Sequence, residues 1–192
     1  MSLFFETLKV TAGKIENLDF HNLRLNHAIQ ENFHFDAKID LQEHIIQKDI
    51  TLERCKVSYT KEIEKVAFFP LRPRHIHSLK ILHSDISYNF KYTNRDDINA
   101  LFEKRENCDD IIMIKEGLAT DTSIANIAIY DGLRWITPKN PLLKGTFRAS
   151  MLKKQLLLEK DVKIKDIEKS TRFALMNALI GFQEIKGVNI KF

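Results

Sequence analysis

Four consecutive apolar residues, Ile111-Ile112-Met113-Ile114, constrain the fold more than any other stretch, because such a run reads as a strand buried in a core. The runs around it are short and punctuated by turn residues. Residues 3–10 read as a strand, with Gly13 turning the chain into a short partner near Ile15. A helix capped by Asn17 or Asp19 follows, with Leu23, Ala28, Ile29 and Phe33 as its apolar side. A weaker helix over 41–47 precedes strands over 55–60, 65–69 and 76–82, the last two separated by Pro70 and Pro73. Residues 83–89 read as a linker. Beyond it come a helix over 96–106 capped by Asn94, and a hairpin of 123–130 with 133–137 about Asp131-Gly132. Gly145 opens a helix running to about 159, with Phe147, Met151, Leu152, Leu156 and Leu157 buried, and residues 173–192 are β-like. The pattern is α/β (α+β) in two parts, an N-terminal α+β domain over 1–86 and a C-terminal α/β domain over 87–192.

Composition narrows the function. In 192 residues, 44% hydrophobic and 29% charged, there is enough apolar material for a sizeable core and no sign of disorder. Thirty Lys and Arg against 26 Asp and Glu leave a net charge of +4. That mild excess suits an anionic small molecule at least as well as nucleic acid, and no nucleic-acid partner is assigned. Cys55 and Cys108 lie far apart without a CxxC neighbour, so neither a disulfide framework nor a zinc knuckle is indicated. With no run near the roughly 20 apolar residues of a membrane span, and no basic leader before Glu6, a soluble cytoplasmic protein is expected.

Several familiar chemistries find no support. His75-x-His77 places two imidazoles on one face of a strand, but no third ligand follows at metal spacing, and no metal is assigned. A nucleophile elbow, a dinucleotide glycine fingerprint and a P-loop are all missing. What remains is a lysine, Lys91, directly before a helix, an acid, Asp121, between two threonines, and the helix start at Gly145-Thr146, where backbone N–H groups and the dipole favour phosphate.

Their order along the chain carries a resemblance. Phe5-Glu6-Thr7-Leu8-Lys9-Val10, Gly13, His21-x-x-Arg24-Leu25, Lys91-x-x-Asn94-Arg95, Lys115-x-Gly117-x-x-Thr120-Asp121, Ala125-Asn126-Ile127 and Gly145-Thr146-Phe147-Arg148 together resemble the class IV, fold-type IV pyridoxal-phosphate enzymes. That family includes branched-chain and D-amino-acid aminotransferases and 4-amino-4-deoxychorismate lyase. The resemblance implies a two-part D-amino-acid aminotransferase-like fold, shortened at the N-terminus, with pyridoxal 5'-phosphate as cofactor, an anionic amine as substrate, no membrane partner, and a homodimer. It implies Lys91 as the Schiff-base lysine, Arg24 as the phosphate arginine, Asp121 as the acid beside the pyridine nitrogen, and the N–H groups of Thr146 and Phe147 on the phosphate. Met176-Asn177-Ala178-Leu179 is similar to the Asn-Ala-Leu segment of the lyases, which adds Asn177 and Ala178 to the cofactor-binding set. The implied activity is a lyase giving 4-aminobenzoate and pyruvate, a step toward folate. The alternatives are a branched-chain or D-amino-acid aminotransferase, or a cofactor-binding relative without catalysis. Three features depart from the family: the chain starts almost on the Phe-Glu-Thr strand, Asp121 stands where the family has Glu, and Lys61-Glu62-Ile63-Glu64-Lys65 replaces a Gly/Arg-rich loop.

Overall fold

The computed structural model describes residues 3–192, in two compact units. The first contains the chain up to Pro73 together with Phe90–Asn94, and the second contains Arg74–Asn89 and Arg95–Phe192. The division is not the single boundary at 86/87 that the sequence suggests. Residues 78–83 pair within the second unit and 90–94 lie along the first strand, so the chain passes between units more than once.

In the first unit β1 (Phe4–Thr11), β2 (Lys14–Ile15), α1 (Leu18–Phe33), α2 (Leu41–His44), β3 (Arg54–Tyr59) and β4 (Ile63–Phe69) form a four-stranded antiparallel sheet in the order β2-β1-β3-β4, with α1 against one face. The period of two in β1 sends Phe4, Leu8 and Val10 into the core, and the period of 3.6 in α1 answers with His21, Leu25, Ala28 and Ile29. Leu23, expected inward, is exposed because it lies off that stripe. Asn17 does occupy the cap position, but in the left-handed conformation and with no side-chain cap bond.

The second unit contains β5 (Ser78–His83), α3 (Asp96–Phe102), β6 (Asp110–Lys115), β7 (Leu118–Ala119), β8 (Asn126–Tyr130), β9 (Trp135–Pro138), α4 (Thr146–Lys153), β10 (Leu158–Lys160), α5 (Ile164–Lys169), β11 (Phe173–Asn177), β12 (Gly181–Ile185) and β13 (Asn189–Lys191). Two sheets, β13-β5-β6-β7 and β10-β9-β8-β11-β12, share a core that includes Ile112 and Ile114 from the first and Ile127, Ile129, Phe173 and Leu175 from the second. The opposite faces of β8 and β11, Ala128, Ala174 and Met176, are covered by Phe147, Met151 and Leu152 of α4. Burial on both faces explains why these strands read as continuous apolar runs.

Differences from the sequence expectation have local causes. Helix α4 stops at Lys153 instead of near 159: Gln155 turns left-handed, and Gln155 N and Leu156 N donate to Leu152 O and Met151 O, closing a Schellman motif that frees β10 to join β9. Leu156 is consequently exposed while Leu157 stays buried. Helix α3 gives way to a 3-10 turn at Glu103–Arg105, and its cap residue is Arg95, not Asn94. The β8–β9 hairpin closes through residues 131–134, with Asp131 accepting from Leu133 N and Arg134 N, not through a two-residue turn. Helix α2 ends at His44, and α5 was unforeseen because its six residues carry one buried side chain, Ile167. Among the described residues no helix is long and apolar enough to cross a membrane.

Tyr59, wholly buried, has a hydroxyl with no hydrogen-bond partner. An unmade buried bond is a cost, so Tyr59→Phe is expected to leave stability unchanged or raise it by up to about 1 kcal/mol in chemical denaturation. A comparable loss of stability would show that the hydroxyl has a partner.

Candidate functional site

In the first unit the residues gather around a carboxylate in an apolar position. Glu6 alternates with Phe4 and Leu8 on the buried face of β1 and is itself fully buried. Two residues of α1 three apart, and hence on one helix face, supply its donors. Arg24 donates from Nε to Oε1 at 2.8 Å and from Nη2 to Oε2 at 2.5 Å, and His21 donates from Nδ1 to Oε2 at 2.6 Å. Burial pushes the Glu6 carboxyl upward, but the Arg24 charge and the His21 and Arg24 hydrogen bonds prevail and hold it at about 2. Burial lowers His21 against the opposing pull of Glu6, which keeps the imidazole neutral and Nδ1 its donor nitrogen.

Lys91 is brought to the same strand by main-chain bonds. Phe5 N donates to Lys91 O, Thr93 N donates to Leu3 O, and Tyr92 bridges Phe4. The Lys91 ammonium lies 4.7 Å from the Phe5 ring centroid, and Lys56 from β3 lies 4.8 Å from the same ring. One aromatic ring thus attracts two cations. Glu6, His21 and Lys56 were not singled out from the sequence as site residues. The available signal was Glu6 itself, a charge where alternation demands an apolar side chain.

In the second unit Asp121 is the centre. Its Oδ1 accepts from Asn126 Nδ2 at 2.7 Å and its Oδ2 from Leu143 N at 2.8 Å, while Asn126 Nδ2 also donates to Leu143 O. Burial pushes Asp121 up to about 7, although these hydrogen bonds and the more distant Arg148 charge pull the other way. Arg148 spends its own donors on Pro138 O and Glu159. The same lock positions the start of α4, since a Cβ at Gly145 would collide with Asn126 Oδ1. Thr146 and Phe147 follow as the first helical residues, whose N–H groups have no acceptor within the helix. Asn177 ends β11 with its side chain committed: Oδ1 accepts from Leu179 N and Ile180 N, and Nδ2 donates to Ile124 O. Ala178 is the next residue of that turn.

The structure therefore gathers Arg24 and Lys91 about β1 in one unit, and Asp121, Thr146 and Phe147 about the Asn126 lock in the other, where Asn177 is tied to the same 121–126 turn. In the first unit an arginine suits a phosphate and a lysine an aldehyde, and in the second a helix N-terminus suits a phosphate and a buried carboxyl, raised for want of a contacting cation, a protonated ring nitrogen.

Residues 58–188 match the family described as amino-transferase class IV. The chain belongs to that family. Its members are pyridoxal-phosphate enzymes, and this one is 33% identical over 183 residues to an uncharacterized protein of Haemophilus influenzae, covering 92% of this chain and 97% of that protein. Among solved structures, this class IV protein is similar to a candidate 4-amino-4-deoxychorismate lyase from Haemophilus somnus 129PT (28% identity, TM-score 0.83, 94% of this chain and 98% of the other). It shares its fold with a candidate amino-acid aminotransferase from Mesorhizobium loti (17% identity, TM-score 0.81, 97% and 99% covered) and a 4-amino-4-deoxychorismate lyase from Pseudomonas aeruginosa (16%, 0.75, 98% and 83%).

Two outcomes follow from the Asp121 lock. Gly145→Ala should destabilise the protein by about 1–3 kcal/mol in chemical denaturation, because Asn126 must yield to the added methyl; an unchanged midpoint would show that α4 is free to shift. Asp121 keeps its proton to about 7 when folded against 3.8 as its ordinary value, so its contribution is complete at low pH and is lost as pH rises through 7, by up to about 4 kcal/mol. Relative to Asp121→Asn, wild-type stability without cofactor should fall between pH 4 and 7.5, and a constant difference would contradict a raised carboxyl.

Proposed function

We propose that this chain binds pyridoxal 5'-phosphate and acts as a 4-amino-4-deoxychorismate lyase, releasing 4-aminobenzoate and pyruvate in a step toward folate. The feature that favours the lyase over the transaminase is the Met176-Asn177-Ala178-Leu179 segment, similar to the Asn-Ala-Leu of the lyases, which Asn177 closes into a turn by accepting from Leu179 N and Ile180 N. The near full-length similarity to the Haemophilus somnus candidate lyase supports the same choice.

The cofactor, when bound, supplies a carbonyl for an amine and an electron-withdrawing ring. Lys91 Nζ would hold that carbonyl and, as a free amine, would take the proton from the carbon bearing nitrogen. Asp121 would hold a proton on the ring nitrogen. In the first unit Arg24, and in the second the N–H groups of Thr146 and Phe147 with Asn177 and Ala178, would be the residues that hold the phosphate. Lys56, beside Lys91 on the Phe5 ring, is the cation for a substrate carboxylate. With the proton gone from the carbon bearing nitrogen, the ring C–O bond breaks as the substrate ring becomes aromatic, and the departing enolate takes up a proton to become pyruvate, which makes the step effectively irreversible. The working form in this reading is a homodimer.

Purified protein incubated with 4-amino-4-deoxychorismate should form 4-aminobenzoate without an added 2-oxo acid, and borohydride should fix the cofactor on Lys91. Turnover only of amino acid and 2-oxo acid pairs would make the protein a transaminase. Cofactor bound without either activity would make it a non-catalytic relative, and a label on another lysine would displace Lys91.

A further inference from the structure

We infer that Glu6 is a positioning residue, which fixes the plane of the Arg24 guanidinium so that its outer edge is presented to a phosphate monoester. The inference rests on the reading of Arg24 as the phosphate arginine. Glu6 occupies a core position flanked by Phe4 and Leu8, where an apolar side chain would serve the packing at least as well. Buried ion pairs are at best neutral for stability compared with apolar residues of similar volume, so the contribution of this carboxylate lies in what it does to its partners.

The geometry of the pair says what that is. Glu6 takes Arg24 Nε and Nη2 side by side, and a planar guanidinium held along that edge must direct Nη1 away from the carboxylate. His21, neutral and fully buried, holds Glu6 in turn through Nδ1. The Arg24 side chain nevertheless keeps 14% of its surface exposed, so a flexible side chain is held in one orientation at the edge of the core. An arginine ordered beforehand loses less conformational freedom when an anion binds.

Charge and positioning predict opposite outcomes, which makes the inference testable. Glu6→Gln removes a negative charge beside Arg24, and electrostatics alone would strengthen binding of an anion. Its amide, however, can accept on one side only, and whichever way it is turned its NH2 group opposes a guanidinium N–H of Arg24, so the two-point hold on the orientation is lost. Full-length protein freed of cofactor would be titrated with pyridoxal phosphate and with pyridoxal, followed by absorbance, and the ratio of the two affinities taken as the phosphate contribution. Glu6→Gln should reduce that ratio about tenfold or more while pyridoxal affinity stays within about twofold. Arg24→Gln should reduce it at least as far, and the double variant no further than Arg24→Gln alone, because Glu6 acts through Arg24. An equal loss for both ligands would assign Glu6 a structural role only, and an unchanged or increased ratio in Glu6→Gln would overturn the inference with Arg24 intact. An unchanged ratio in Arg24→Gln would instead remove the phosphate reading beneath it. Should Glu6→Gln not fold, Glu6→Asp, which keeps the charge but withdraws the carboxylate by one methylene, carries the same measurement, and an unchanged ratio there overturns the inference equally.

Discussion

Removing a carboxylate from water costs several kcal/mol unless the protein replaces its hydration with donors of its own, and both units of this chain are organised around meeting that demand. Glu6 is met by a charge and an imidazole from α1, and the result is an ionised acid held at about 2. Asp121 is met by an amide and a main-chain N–H without a contacting cation, and the result is an acid raised to about 7. Two buried carboxyls with similar hydrogen-bond counts thus differ at neutral pH, Glu6 fully ionised and Asp121 in the middle of its titration. The difference is the guanidinium.

These two solutions also place the secondary structure. Satisfying Glu6 requires α1 to lie over β1 with the face of His21 and Arg24 inward, which is the face that carries Leu25, Ala28 and Ile29 into the core. Satisfying Asp121 requires Leu143 to be drawn against the 121–126 turn, and the chain then has room to start α4 only because residue 145 is glycine. Helix α4 in turn covers the Ala128, Ala174 and Met176 face of the sheet. Site and core share the same contacts, so substitutions at Glu6 or Asn126 act on both.

Much of this was legible in the chain. The Ile111–Ile114 run, the alternation of β1 and the Gly145 helix start reflect local rules of periodicity and capping, and the ordered motifs from Phe5-Glu6-Thr7 to Gly145-Thr146-Phe147 marked the family. Less legible were the ends of elements. Gln155 stops α4 by adopting a left-handed conformation that its residue type does not announce, and the cap of α3 falls on Arg95 with Asn94 just outside.

By itself the sequence determined which residue types stand in which order: a lysine before a helix, an acid before the Ala125-Asn126-Ile127 strand, an arginine three residues after a histidine. Those follow from composition and spacing, which are properties of the chain alone. Only the tertiary structure decided their electrostatic character. The acidity of Glu6 depends on Arg24 and His21, 18 and 15 residues away, and that of Asp121 on Leu143, 22 residues on, because burial and hydrogen bonding are set by what the fold brings close. The same holds for Lys56 and Lys91, far apart in the chain and joined on one ring only when β3 and the 90–94 segment flank β1.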